Sequence, residues 1–407
     1  MNGAMKKKLL FFHHCGTVGG AGISGLNFLN CVPKENYEII IYTVSNPEGM
    51  ATLYNEKGYT VCKSGADPVA FTHCVGSEKF ALSPRALLNY YKVSRSKKSV
   101  EQIIVREKPD VVVANSMTLF WIGKIAKKYN AQTICFFRET YIEGLFGIRT
   151  KHIKNNLSKY FDKIAFISNY ELVRSAEIKS QKMTIYNMVQ PDGYDRYTQE
   201  EARDSLGLPK DNFYILYVGG FNELKGAKVL LEAMSLIQNT NIKVLFVGGD
   251  LNDIAPKKNE GNTLKRIKNC FIKSYNTKCA QLINKYQLQD KVIFFKNQKD
   301  ISRFYCAANA LVFPMIKPHQ ARPIFEAGYA KIPVIVTNFE NIKELADEST
   351  CFLFKNKDYK DLATKIEYVY NHPEEGTAKV LKNYENTLKR HGPQTYKEQI
   401  DLLLKDS

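Results

Sequence analysis

The 407-residue sequence predicts an α/β protein of two Rossmann-like domains in tandem, facing each other across a cleft. Three observations predict it. Short, continuous apolar or β-branched runs recur along the chain, as expected of strands covered on both faces. Helical patterns alternate with them, which makes βαβ series and a parallel sheet. A polar stretch punctuated by Pro and Gly, "QPDGYDRYTQEEARDSLGLPKDN" at 190–212, lacks strand signals and reads as a linker between two such series. The expected units are therefore 1–190 and 191–390, with 391–407 a C-terminal helix packing back toward the first domain.

In the first domain the expected strands are "KLLFFHH" (8–14), "YEIIIYTV" (37–44), "YTVCK" (59–63), "DVVVA" (110–114), "QTICFF" (132–137), "KIAFIS" (163–168) and "MTIYN" (183–187). Amphipathic patterns at 84–107 and 119–129 supply helices between them. The second domain repeats the rhythm with strands at 213–220, 242–249, 291–295, 310–314 and 332–337 and a helix at 227–237. The segment 250–270 interrupts it as an exposed insertion, and the last 50 residues read as helices.

A composition of 44% apolar and 24% charged residues is that of a globular chain. No apolar run approaches the roughly 18–20 residues of a membrane span. The basic start and short apolar patch of "MNGAMKKKLLFFHHCGTVGG" are too brief for a signal peptide and read as strand one. Nine cysteines without a C-x-x-C pair or zinc spacing suit reduced packing thiols in a cytoplasmic chain. Of the net charge of +17, +12 falls in residues 1–190, where 26 Lys and Arg face 14 Asp and Glu. That imbalance predicts either a polyanionic partner for the first domain or a solvated Lys-rich surface.

Gly20-Ala21-Gly22-Ile23-Ser24-Gly25 reads as G-x-G-x-x-G after a strand. The context argues against a dinucleotide site and leaves an NAD-linked sugar oxidoreductase as a rival that rests on this fingerprint alone. Strand two ends in Ser45 and Asn46 where such a domain needs an acid, and several residues separate strand one from the glycines. Beside that rival, two readings remain: backbone amides offered to a phosphate or sugar hydroxyl at a helix N-terminus, or a tightly packed turn.

In the second domain, Lys225 precedes a helix start in "GGFNELKGAKVLLEA", and Arg322 stands before Pro323, which fits the first helical position. Each cation opposes a helix dipole, by about 0.3–1 kcal/mol at an exposed site. Two such conflicts at the carboxyl ends of two strands predict a shared diphosphate site. Glu326, in the first turn of the second of these helices, either complements the dipole or accepts ribose hydroxyls.

"GGFNELKG" and "RPIFEAGYAKIPVIVTNFENIKEL", with "GGAG" near the start, resemble the retaining GT-B glycosyltransferases of the family 4 type, the glycosyl transferases group 1. The resemblance implies a first domain for the acceptor and a second for a nucleotide-sugar donor, a UDP-sugar ahead of a GDP-sugar. It implies donor contacts from Gly19, Gly20, Ala21, Gly220, Lys225, Arg322, Pro323, Ile324 and Glu326. Lys225 and Arg322 would stabilise the leaving diphosphate, with Arg138 and Glu139 on the acceptor side and Glu139 a candidate catalytic group. A structural Arg138–Glu139 salt bridge is the alternative.

The sequence departs from the family at three places. Gly220 replaces the usual Arg, Pro318 replaces the earlier Glu of a two-Glu motif, and Arg138-Glu139 replaces a His. Arg322 is expected to take over part of the missing charge. With no D-x-D sequence, no metal and no cofactor are expected. The expected enzyme is a hexosyltransferase of surface polysaccharide assembly, at the inner face of the cell membrane. It would act on a lipid-linked saccharide or other glycan, touch anionic lipid and bind no nucleic acid. A catalytically silent GT-B scaffold partnering another transferase is the alternative.

Overall fold

The computed structural model describes residues 5–62, 67–71, 82–141, 143, 145–190, 193–194, 196–249, 275–298, 300–318 and 321–405. The expected insertion at 250–270 lies outside them. The chain divides into two compact units, Met1–Met188 with Pro393–Ser407, and Val189–Gly392.

The first unit carries a parallel sheet of β1 (Lys7–Phe12), β2 (Tyr37–Tyr42), β3 (Thr60–Val61), β4 (Val111–Ala114), β5 (Gln132–Phe137), β6 (Lys163–Phe166) and β7 (Gln181–Thr184). Their order is β3-β2-β1-β4-β5-β6-β7, so the direction of winding reverses between β1 and β4. The central strands are buried along their length, which is why they read as unbroken apolar runs. The Pro393–Leu404 helix packs here through Tyr396, Ile400, Leu403 and Leu404, and buried Lys163 donates to the Leu403 carbonyl at 3.1 Å. That lysine satisfies a carbonyl the helix end would otherwise leave open.

The second unit repeats the plan with β8 (Phe213–Val218), β9 (Ile242–Val247), β10 (Val292–Phe295), β11 (Ala310–Phe313), β12 (Val334–Thr337) and β13 (Phe352–Phe354). The order β10-β9-β8-β11-β12-β13 reverses between β8 and β11. The three-residue β13 carries too short an apolar run to stand out in the sequence. The 190–212 linker holds a helix, Gln199–Ser205, started by a capping box between Thr198 and Glu201. Its T-x-x-E spacing was the available signal.

The loops leaving β8 and β11 are tied to each other. Ile316 N–H donates to the Leu224 carbonyl at 3.0 Å. Gly226 caps the Ala227–Met234 helix at φ 77°, and a Cβ on it would sit 1.7 Å from the Pro314 carbonyl oxygen. Gly226→Ala is therefore expected to cost about 2 kcal/mol or more, from left-handed strain and from the parting of the two loops. Urea unfolding followed on the second unit checks this; a loss under about 0.5 kcal/mol, the ordinary scatter of surface substitutions, would contradict it.

Candidate functional site

The strand-order reversal of the second unit brings together the residues singled out in its sequence. Lys225 lies just before Gly226, its stem packed on Gly219, where an added Cβ would meet Lys225 Cδ at 3.0 Å. Burial lowers the Lys225 pKa and the Glu326 charge opposes that shift. Among the described residues no hydrogen bond or ion pair engages the Lys225 ammonium. A half-buried, desolvated cation beside a helix N-terminus is a site for an anion. The second amide of that helix, Lys228 N–H, is already taken by the Tyr275 hydroxyl at 2.9 Å.

Arg322 is itself the first helical residue, with Ala321 as cap and Pro323 second, one position earlier than the sequence suggested. It is not unpaired. Its Nε donates to Glu326 Oε1 at 2.6 Å, while the buried Tyr305 hydroxyl donates to Oε2 at 2.8 Å. Burial works against the guanidinium charge, but Glu326 outweighs it and raises the Arg322 pKa. Glu326 is 6% exposed, so the two donors fix both carboxylate oxygens in a dry setting. Tyr194 meets the Tyr305 ring edge-on and stacks on Tyr329. Pro323 and Ile324 are buried, and the Ile324 N–H is used by the Ala321 carbonyl at 2.9 Å. Tyr305 gave no sequence signal because its role depends on packing across the unit.

Gly220 stands at φ 55°, and a Cβ there would lie 2.2 Å from the Gly248 carbonyl oxygen. The departure from the family arginine is thus built into the backbone of this loop.

The first unit resolves its glycine segment into two parts. Gly19 caps the Gly20–Cys31 helix, and both Gly19 and Gly20 leave open space where a Cβ would stand. Ala21 is the second helical residue, so the segment is a helix start rather than a free loop. Gly22 and Gly25 are packing positions, closed by Met50 and by Asn115 and Phe11.

Asn115, just past β4, is a hub that the sequence did not flag. Its Oδ1 accepts from Arg138 Nε at 2.7 Å, and its Nδ2 serves the Ala21 carbonyl at 3.0 Å and His13 Nδ1 at 2.9 Å. Because the Asn115 amide donates to Nδ1, the His13 proton resides on Nε2, which has no partner among the described residues. Burial, then the charges of His14 and Arg138, lower the His13 pKa to about 3.

Arg138 and Glu139 do not form a salt bridge with each other. Arg138 is buried against Asn115, Asn187 and the Phe136 ring. Glu139 accepts from the Ser116 hydroxyl and, at 3.4 Å, from Met117 N–H, and burial raises its pKa.

The basic regions of the first unit behave differently from one another. Lys97, Lys98 and Lys151 are exposed, but Lys154 is buried, bonded to the Arg174 carbonyl and Glu177, both at 2.8 Å. The aromatic run "TLFWIG" is core, with Leu119, Phe120 and Trp121 at most 3% exposed. Of "YIEGLFGI", Phe146 and Ile148 are exposed, while Ile142 and Gly144 lie outside the described residues. Among the described residues no helix is long and apolar enough to cross a membrane.

Two Rossmann-like units, the second with its charges gathered at a strand-order reversal, define the GT-B fold class. Residues 198–387 match the family model described as Glycosyl transferases group 1. The chain is 24% identical over 280 residues to "Uncharacterized glycosyltransferase MJ1059" of Methanocaldococcus jannaschii, covering 63% of this chain and 62% of that protein. A second relative from the same organism, "Uncharacterized glycosyltransferase MJ1607", is 23% identical over 59% of this chain and 60% of its own length. The chain thus spans about three fifths of the length of these curated relatives. Among solved structures it is similar to Anabaena Alr3699/HepE in complex with UDP, at TM-score 0.74 and 16% identity, covering 98% of this chain and 99% of that one. It is likewise similar to sucrose-phosphate synthase from Thermosynechococcus elongatus, at TM-score 0.73 and 18% identity over 98% of both chains. Together these matches show the GT-B fold, with a resemblance to the glycosyl transferases group 1 over residues 198–387.

The His13 network generates a pH dependence. The unfolded chain protonates this imidazole near 6.5 and the folded chain only near 3, so unfolding takes up a proton between those values. The contribution is complete above pH 6.5 and is lost as pH falls toward 3, at up to about 1.4 kcal/mol per pH unit. His13→Asn, whose Oδ1 can replace Nδ1 as the acceptor, should show a shallower loss of stability between pH 6.5 and 4.5. Identical slopes in the two proteins would mean that His13 is not held neutral.

Proposed function

We propose that the protein is a retaining glycosyltransferase that transfers a hexose from a nucleotide sugar, a UDP-sugar ahead of a GDP-sugar, to a lipid-linked or other glycan acceptor. The observation that carries this reading is the desolvated Lys225 ammonium, unpaired among the described residues, near Glu326 and a helix N-terminus at the second unit's strand-order reversal. Open α/β sheets bind ligands at that point. A diphosphate leaving group gathers negative charge as the glycosidic bond breaks, and a preorganised cation lowers the barrier. Lys225 supplies that charge, and the Arg322 guanidinium adds its remaining donors. Glu326, already oriented by Tyr305 and Arg322, accepts from the ribose. UDP in Alr3699/HepE and UDP-glucose in a further structure of it favour a uridine nucleotide here as well.

Gly19, Gly20 and Ala21 would touch the donor from the first unit, and the acceptor would meet that unit near Arg138 and Glu139. Buried Arg138 holds this region through Asn115, whereas Glu139 is the less buried of the pair. The reaction as proposed needs no metal and no cofactor, and its setting is surface polysaccharide assembly at the cytoplasmic face of the membrane. The backbone-enforced glycine at 220 and the proline at 318 favour one other reading, a silent GT-B scaffold. Turnover of a nucleotide sugar would rule that out.

Lys225→Ala should weaken UDP binding by about 1.5–3 kcal/mol in calorimetry, since a charge-assisted bond in a desolvated site is lost. Its melting temperature without ligand should be unchanged or higher, because an unpaired cation is removed. Unaltered UDP affinity would overturn the donor site. Glu326→Gln should weaken UDP more than inorganic diphosphate, which has no ribose. Equal losses for the two ligands would reduce Glu326 to a partner of Arg322.

A further inference from the structure

The helix Pro84–Glu107 buries one stripe in the first unit, formed by Ala86, Val93, Ser96, Val100, Ile103 and Ile104. Its opposite face is not the polar surface that such a helix usually presents. Leu87, Leu88 and Tyr91 are 51%, 53% and 60% exposed, and Leu82 just before the helix is 81% exposed. Positions 87, 88 and 91 share one side of the first two turns, and Arg95 and Lys98 continue that side down the helix. Residues 82–100 carry five Lys and Arg and no Asp or Glu. Lys97 joins a neighbouring basic segment: with burial, its charge lowers the His152 pKa, so it stands close to the Ile148–Tyr160 helix, which also bears exposed Lys151.

An aliphatic cluster ringed by cations, without acids, costs free energy in water and has a matching surface in an anionic bilayer. There the leucines enter the acyl boundary, the tyrosine sits at headgroup level and the cations meet phosphates. Single-stranded nucleic acid would call for stacking aromatics where this face has leucines. We propose that the outward face of this helix, Leu82, Leu87, Leu88 and Tyr91 flanked by Arg85, Lys92, Arg95 and Lys98, is a docking surface for an anionic membrane. For its purpose this rests on the reading of a lipid-linked acceptor: the surface would hold the first unit where such an acceptor lies.

The test is co-sedimentation of the full chain with vesicles of phosphatidylcholine alone or with phosphatidylglycerol added, at low and high salt. The expected result is binding only to the anionic vesicles, weakened by salt as its electrostatic part is screened. A triple variant, Leu87→Ser, Leu88→Ser and Tyr91→Ser, should bind at least about tenfold more weakly. Arg95→Glu with Lys98→Glu should do the same, and both variants should keep the parent's UDP affinity and melting temperature. Wild-type-like vesicle binding by the triple variant, equal binding to neutral vesicles, or no binding at low salt would overturn the proposal. Concentration-dependent self-association abolished by the triple variant, in a chain that ignores vesicles, would instead assign the face to a second copy. UDP affinity is read separately, so loss of the docking surface and loss of the transferase reading are distinguishable.

Discussion

Where a parallel sheet reverses its winding order, two adjacent strands send their chains to opposite faces, and no crossover covers the gap between their ends. The second unit is organised around that gap. The Ala227–Met234 helix packs into one hydrophobic cluster and the Arg322–Tyr329 helix into another, so the loops that start them diverge after β8 and β11. Among the described residues the Ile316–Leu224 hydrogen bond and the close approach of Gly226 to Pro314 tie them together. Both helices therefore open beside one crevice, and their dipoles make it electropositive before any side chain is counted.

The side chains extend this in unequal ways. Lys225 is desolvated and free of ion pairs among the described residues, whereas Arg322 is committed to Glu326. Their shared pattern in the sequence, a cation at a helix start, hides this difference: Arg322 is one helical turn from the acid it pairs with on its own helix, while Lys225 follows a glycine turn whose Glu223 makes no ion pair with it among the described residues. The first unit shows the contrast at its own reversal between β1 and β4. There Asn115 joins the helix start at Ala21, His13 and Arg138 into a neutral-imidazole network, so that groups with chemical potential serve to hold backbone. Gly19 and Gly20 alone keep open space at that helix start.

The fold was legible because buried parallel strands are unbroken apolar runs, and runs such as "VVVA" and "FYILYV" have no competing interpretation. Legibility failed where the signal was short or carried by capping, as for β13 and the Gln199–Ser205 helix. At the site, Lys225, Arg322 and Glu326 could be found because each bears on a helix dipole that the sequence itself implies. Tyr305 and Asn115 could not, since their roles arise from contacts over long sequence separations. The same limit explains "TLFWIG": its aromatic residues are those of an interaction surface or of a core, and only packing decides for the core. Exposed Leu87 and Leu88 were hidden for the converse reason, inside a helix whose periodicity already accounted for its apolar residues.

The most direct test of the account is a crystal structure of the chain with UDP. The account predicts the diphosphate within hydrogen-bonding distance of Lys225 Nζ, at the start of the Ala227–Met234 helix, with the ribose against the Glu326 carboxylate. A diphosphate bound elsewhere, with Lys225 uncontacted and the ribose away from Glu326, would contradict it.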